Sequence, residues 1–264
     1  HLSLRRQRQM CIRDSNEPES SCLTVKIDFP DTSVIHTIIS RVRNLFDLDS
    51  DPVVIANSLE SHPQIKKLLK NVPGIRLPSG WDPFEIAISA ILGQLVSIER
   101  GRSLVHDLIE LAGTGSGYVV DGKEVTLFPT PQQIMKADLS TLKTTTIRKQ
   151  TLVAFSKAVG SGEISLESTQ DVDTFIKQVL KIKGIGPWTA QYIALKSLRD
   201  TDTFPASDLI LARALEIHSK EIVETMRPWR GYVAALFWQT YAGALQKRPA
   251  KRKKHEQSST QNEF

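Results

Sequence analysis

Between Leu23 and Phe29, apolar Leu23, Val25, Ile27 and Phe29 alternate with Thr24, Lys26 and Asp28, a period of two that predicts a strand closed by Pro30. A lone strand is not stable. Either it pairs with a weak partner or most of an N-terminal sheet is missing. From Ser33 onward the apolar spacing becomes helical almost throughout, broken by Pro73-Gly74, Pro78-Ser79-Gly80, a Gly-rich turn segment over 113–122, Pro129 to Pro131 and Gly160 to Gly162. The pattern predicts a mainly α protein. Its best-specified helix starts at Asp82, an N-cap followed by Pro83 in the first turn and Glu85 three residues on, with Trp81 and Ile86 spaced as a hydrophobic staple. The apolar face of that helix continues through Phe84, Ile88, Ile91, Leu92 and Leu95, which on spacing alone makes Leu95 a candidate core residue.

At 264 residues, 40% of them hydrophobic and 24% charged, the chain has room for a core divided into two subdomains. No apolar run is long enough to span a bilayer and the opening residues do not resemble a secretory signal, so a soluble intracellular protein is expected. Cys11 and Cys22 offer neither a disulfide framework nor the spacing of a zinc or iron-sulfur site, which leaves ordinary side chains for any chemistry. The net charge of +5 suggests a nucleic-acid partner, but the excess sits at the two ends and residues 22–246 are neutral overall. Binding therefore has to be argued from motifs. Residues 1–21 lack periodicity and are read as a disordered or foreign arm. Residues 247–264 are read as a basic tail, with DNA contact, a nuclear address and a solvated charge run all open.

The informative segment begins where an apolar helix end, Phe175, Val179 and Ile182, meets Gly184-Ile185-Gly186, and a new helix opens with Pro187. Two glycines permit a tight hairpin whose N–H groups, with the positive end of the next helix, suit a DNA phosphate. Such a contact reads backbone and not base. A bare G-x-G between helices also fits an ordinary turn. Downstream, Ser207 is placed to cap a helix, which leaves the Asp208 carboxylate in the first turn, where the helix dipole favours its charge. Taken alone, Asp208 also fits a simple cap.

Together, Lys183-Gly-Ile-Gly-Pro-Trp-Thr-Ala190 and Phe204-Pro-Ala-Ser-Asp208 resemble the signature of the helix-hairpin-helix DNA glycosylase superfamily, most closely its 3-methyladenine DNA glycosylase II (alkylpurine) branch. Gly74-Ile-Arg-Leu-Pro78, Ala90-Ile-Leu-Gly-Gln-Leu-Val-Ser97 and Arg227-Pro-Trp-Arg-Gly-Tyr232 are similar to the same branch, and the resemblance covers residues 23–245. It implies two helical subdomains flanking an active-site cleft, with a remnant N-terminal strand where the family has a several-stranded sheet. The expected boundaries are an arm over 1–21, an N-terminal strand and helices over 22–74, a helical domain with the hairpin over 75–200, C-terminal helices over 201–246 that pack on the N-terminal ones, and a tail over 247–264.

The resemblance further implies that Asp208 is the catalytic carboxylate and that Trp188, Tyr192 and Trp238 line the base pocket, although each aromatic is also a candidate for core packing. Gly184, Ile185, Gly186 and Thr189 would meet the DNA backbone. Gln94 and Leu95 would fill the gap left by the flipped nucleotide. No cofactor is required, a monovalent cation at the hairpin is allowed, and the partner is double-stranded DNA with a damaged base, bound by a monomer away from any membrane, in the cytoplasm or nucleoid of a bacterium or the nucleus of a eukaryote. Glycosylases that also cut the backbone carry Lys where this chain has Trp188, and Lys183 lies on the wrong side of the hairpin to replace it.

One carboxylate suffices for base release when the leaving purine already carries positive charge, because such a base needs no proton donor. Electron-rich rings suit that cation, at about 0.5 to 2 kcal/mol per good contact. The alternatives are a non-catalytic hairpin module, which gives Asp208 no role, and a glycosylase for oxidised or deaminated bases on the same fold.

Overall fold

The computed structural model describes residues 12–13, 23–27 and 31–246; most of the expected arm over 1–21 and all of the tail over 247–264 lie outside these. The strand expected around Val25 has a partner. β1 (Ile12–Arg13) pairs antiparallel with β2 (Thr24–Val25), Ile12 opposite Val25 and Arg13 opposite Thr24, so residues from within the stretch read as an arm supply its neighbour.

Helices follow: α1 (Ile35–Leu45), α2 (Pro52–Leu59), α3 (Pro63–Leu69), α4 (Pro83–Leu92) and α5 (Ile98–Ala112). Asp-Pro pairs start two of them. The Asp51 carboxylate accepts the Val53 and Val54 N–H groups at 2.8 and 3.2 Å, and Asp82 accepts those of Phe84 and Glu85 at 2.9 and 3.2 Å, satisfying first-turn donors that lack helical partners. The expected staple is not formed in that way. Trp81 is buried against Ile38 and Val42 of α1, while Ile86 packs over Gly80.

A second correction concerns the Gly-rich segment read as a turn, which forms a hairpin of β3 (Thr114–Val120) and β4 (Lys123–Leu127). Asp121 and Gly122 at its tip have φ of 50° and 74°, the paired positive values of a tight hairpin turn. The chain then continues through α6 (Pro131–Lys136), α7 (Thr146–Gly160), α8 (Val172–Val179), α9 (Pro187–Ser197), α10 (Leu209–His218), α11 (Lys220–Glu224) and α12 (Arg230–Gln246). No described helix is long and apolar enough to cross a membrane.

Besides the small cluster of Trp81, Ile38 and Val42, two large cores result among the described residues, as a fold of two helical subdomains requires. One is built from α4 to α9 around Ile88, Ile91, Phe155, Phe175 and Ile193. The other joins both ends of the described chain, α2 and α3 with α10 to α12, around Ile55, Leu59, Leu211, Tyr232 and Phe237. Helix α9 serves both, since Ile193 and Ala194 enter the first core and Leu195 the second. Whatever the remaining face of α9 carries is therefore held at the junction of the two lobes.

Two of the stretches that carried the resemblance brace the second lobe. The Arg76 guanidinium donates to the Asp47 and Ser50 carbonyls at 2.8 and 2.9 Å, and Asp47 Oδ2 accepts from Leu77 N at 2.9 Å and from the Tyr232 hydroxyl at 2.8 Å. This buried clamp ties the end of α1 to α12 and gives each buried polar atom a partner.

Candidate active site

The α8–α9 turn places Pro187 at the first helical position and, four residues apart on one face of α9, Trp188, Tyr192 and Lys196. Trp188 and Tyr192 stack with ring centres 5.2 Å apart, and Trp238 of α12 meets Tyr192 at 6.2 Å. All three rings are half-buried; Tyr192 also packs against the first core and Trp238 against the second.

The structure corrects the reading of the next helix start. Asp208, and not Ser207, is the N-cap of α10, with Oδ1 accepting from Ile210 N at 2.9 Å and Leu211 N at 3.2 Å. Ser207 is exposed. The cap reading and the catalytic reading fall on one residue without conflict, because capping aims the carboxylate. It also accepts from two indoles: Trp238 Nε1 donates to Oδ1 and Trp188 Nε1 to Oδ2, both at 3.0 Å, which leaves a lone pair on Oδ2. Four N–H groups and the positive end of a helix therefore orient one carboxylate. Burial, and then the charge of Asp208, push the Tyr192 phenol above its ordinary range, so it stays neutral.

Trp188, Tyr192, Lys196 and Asp208 line a cavity of about 900 Å³ that is also walled by α4, α5 and the loop between them, including Ser89, Ala90, Gly93 and Val96. That volume lies in the range of small-molecule sites, roughly 300 to 1,000 Å³. A second cleft of about 640 Å³ is lined by Asp202, Glu224, Arg227 and Arg230. Arg230 pairs there with Asp202 at 2.9 Å and Glu224 at 2.8 Å, so its cations serve internal partners.

The two hairpin glycines differ. Gly184 has φ +94° and leaves no room for a side chain, since a Cβ would fall 2.1 Å from Thr151 Oγ1. Gly186 has φ −97° and open space around it, so neither conformation nor packing within the protein demands glycine there. Ile185 is buried in the first core, which leaves only its backbone at the turn. Thr189 is also buried, and its hydroxyl accepts from Gln94 Nε2 at 2.7 Å instead of facing out.

Gln94 itself is turned inward, its amide also donating to the Gly184 carbonyl at 3.1 Å. Leu95 is the residue that projects. Helix α4 ends at Leu92, so Leu95 is not on its apolar face; it has φ 53° and is fully exposed, at 103%. The core reading of Leu95 is excluded. Its neighbours Gly93 and Val96 line the cavity, which puts Leu95 at the rim.

Three contributors went unnoticed in the sequence. Arg148 donates to the Gln94 carbonyl at 2.5 Å, Thr151 donates to the Lys183 carbonyl at 2.8 Å, and Lys196 Nζ donates to the Pro78 carbonyl at 2.7 Å. The first joins α7 to the loop after α4 and the second joins it to the hairpin, and neither carries a sequence signal. Lys196 did have one, its spacing from Trp188 and Tyr192.

Two helical lobes meeting at a hairpin that opens one wall of an aromatic-lined cavity, with a carboxylate at the next helix start, define a helix-hairpin-helix DNA glycosylase fold. The fold superposes on the 3-methyladenine DNA-glycosylase from Archaeoglobus fulgidus with a TM-score of 0.72 at 18% identity, covering 88% of this chain and 82% of that one. Residues 3–82 match the AlkA N-terminal domain family, a match that begins inside the stretch read as an arm. DNA-3-methyladenine glycosylase 2 of Escherichia coli K12 is 30% identical over 209 residues, 76% of this chain and 71% of the relative. The "Probable bifunctional transcriptional activator/DNA repair enzyme AlkA" of Mycobacterium tuberculosis H37Rv is 32% identical over 244 residues, 88% of this chain but 48% of the relative. The chain therefore spans about half the length of that relative. It belongs to the DNA-3-methyladenine glycosylase family.

Proposed function

We propose that the chain is a monofunctional DNA glycosylase that takes an alkylated purine out of duplex DNA and hydrolyses its N-glycosidic bond. The observation that carries this reading is the Asp208 carboxylate, held by two backbone N–H groups and two indoles on the wall of the aromatic cavity. A base inside the stack is out of its reach, so the nucleotide must be extruded, at roughly a few kcal/mol that is least for damaged or weakly paired bases. Leu95 then occupies the gap while the hairpin holds the backbone. In the cavity the carboxylate stabilises the developing sugar cation and orients water, and the rings hold a positively charged base.

Intact abasic DNA is the product on this reading, because Trp188 stands where a bifunctional enzyme carries its amine nucleophile. Borohydride trapping checks it, and a covalent enzyme–DNA adduct would overturn the assignment. A monovalent cation fits the hairpin: the turn presents backbone carbonyls of Ile182, Lys183 and Gly184, hard oxygen donors that each accept one hydrogen bond and keep a second lone pair. Bound there, it would supply positive charge for a backbone phosphate. Double-stranded DNA is the partner, met by a monomer in the nucleoid of a bacterium or the nucleus of a eukaryote.

The deciding experiment is base release measured separately on duplexes carrying 3-methyladenine, 7-methylguanine, hypoxanthine or ethenoadenine. Release of the methylated purines is expected. Duplex binding with no release from any of them would leave a non-catalytic hairpin module.

A further inference from the structure

The cavity wall carries an amine that the reaction above leaves idle. Lys196 follows Trp188 and Tyr192 along the cavity-lining face of α9. Its ammonium is fixed in place: Nζ donates to the Pro78 carbonyl at 2.7 Å and lies 5.7 Å from the centre of the Trp238 ring, whose own N–H holds Asp208. An ammonium has three N–H donors and Pro78 takes one, so donors remain for a purine lodged beside the rings. The charged and titratable groups around it are Asp47 beyond α1, Glu85 of α4, Arg102 of α5, Tyr192 of its own helix and Asp208 at the head of α10; α12 presents the uncharged Trp238.

A fixed ammonium acts in opposite senses on two kinds of lesion. A 7-alkylated purine is a cation, and a positive wall repels it. A neutral purine such as hypoxanthine leaves slowly because its departing electron pair meets no positive charge, and a positioned proton donor removes that obstacle. The geometry points to Lys196 as the proton donor for neutral purines, which widens the range of this site from cationic to neutral lesions. The inference rests on the glycosylase reading above.

In this step Nζ gives its proton to a ring nitrogen of the purine as the C1′–N9 bond breaks and its electron pair stays with the base. The oxygen of water bonds to C1′, its proton leaves by way of Asp208 to solvent, and Lys196 is reprotonated from solvent. Burial lowers the Lys196 amine to about 8, partly offset by the charge of Asp47, close to the pH at which a general acid is most effective.

The test is single-turnover excision of hypoxanthine and of 7-methylguanine from otherwise identical duplexes, by the wild type, Lys196→Met and Lys196→Arg, across the alkaline range. The wild type should lose hypoxanthine excision, relative to 7-methylguanine, as pH rises through about 8. Lys196→Met should lower the hypoxanthine to 7-methylguanine rate ratio by about 100-fold and abolish that fall. Lys196→Arg, which keeps a donor but holds its proton, should restore the ratio in part and move the fall out of range. An unchanged ratio in Lys196→Met, an equal loss on both lesions, or a covalent adduct at Lys196 would overturn the assignment. So would a wild type that excises 7-methylguanine but not hypoxanthine. If Lys196→Met does not fold, the wild-type pH profile decides, and the absence of a hypoxanthine-specific fall counts against Lys196. A wild type that releases neither base overturns the glycosylase reading, and this inference with it.

Discussion

Trp238 donates its indole N–H to Asp208 Oδ1 at 3.0 Å, and that same oxygen caps α10. One atom thus ties α12 to the helix start and fixes the orientation of the carboxylate. Asp208→Asn keeps an N-cap of equal rank and a carbonyl for Trp238, but it removes the charge and turns an amide N–H₂ toward the Trp188 indole N–H. Melting temperature and duplex affinity should stay near wild type while base release falls by about 100-fold or more. Undiminished release would remove Asp208 from the chemistry.

Trp238→Phe keeps an aromatic face and deletes only the N–H. A hydrogen bond to a charged group contributes about 1.5 to 3 kcal/mol, so single-turnover release should fall by roughly 10- to 100-fold with duplex binding intact. The comparison is the rate at saturating enzyme against the dissociation constant. A loss confined to binding would mean that the indole grips DNA and not the carboxylate.

The hairpin glycines separate by their surroundings. Gly184→Val forces a side chain into Thr151 Oγ1 from a φ of +94°, and should lower stability by roughly 1 to 3 kcal/mol through overpacking and strain. Gly186→Val has no such conflict inside the protein. It should melt like wild type and bind damaged and undamaged duplex equally weakly, because the added side chain stands off the phosphate. A defect confined to damaged DNA would mean that the turn reads the lesion.

What the sequence disclosed was local. The Asp82-Pro83 start, the Gly184-Ile185-Gly186 turn and the helical spacing of Trp188 and Tyr192 each depend on a few adjacent residues, and each stands where expected. Asp208 was found, but the choice of cap was not, because Ser207 and Asp208 are both good caps and the Asp208 N–H to Pro205 carbonyl contact that sets the turn is invisible in a residue list. Asp121-Gly122 is a strong hairpin signal that was submerged in a Gly-rich run. Helical periodicity carried the α4 pattern on to Leu95 although the helix stops before Gly93. The links from Arg148 and Thr151 to the α4 loop and the hairpin cross long stretches of chain, and no spacing rule reaches them.

Leu95 carries the last prediction. Gln94 is held on both sides, its carbonyl by Arg148 and its amide by Gly184 and Thr189, so the loop delivers Leu95 outward in a left-handed conformation. That backbone costs roughly 1 to 3 kcal/mol for a residue other than glycine, and a fully exposed side chain returns nothing to the folded protein alone. Leu95→Ala should therefore melt close to wild type, where a buried leucine would lose about 2 to 5 kcal/mol. Leu95→Gly, at home at φ 53°, should melt at or above wild type. Both variants should excise worst from well-stacked, fully paired sites, where the flipped nucleotide returns most readily. Melting curves and single-turnover excision of one lesion, opposite a normal partner and opposite a mismatch, distinguish the roles. A large melting loss with equal excision defects in both contexts would show Leu95 serving the fold and leave the vacated stack to another residue.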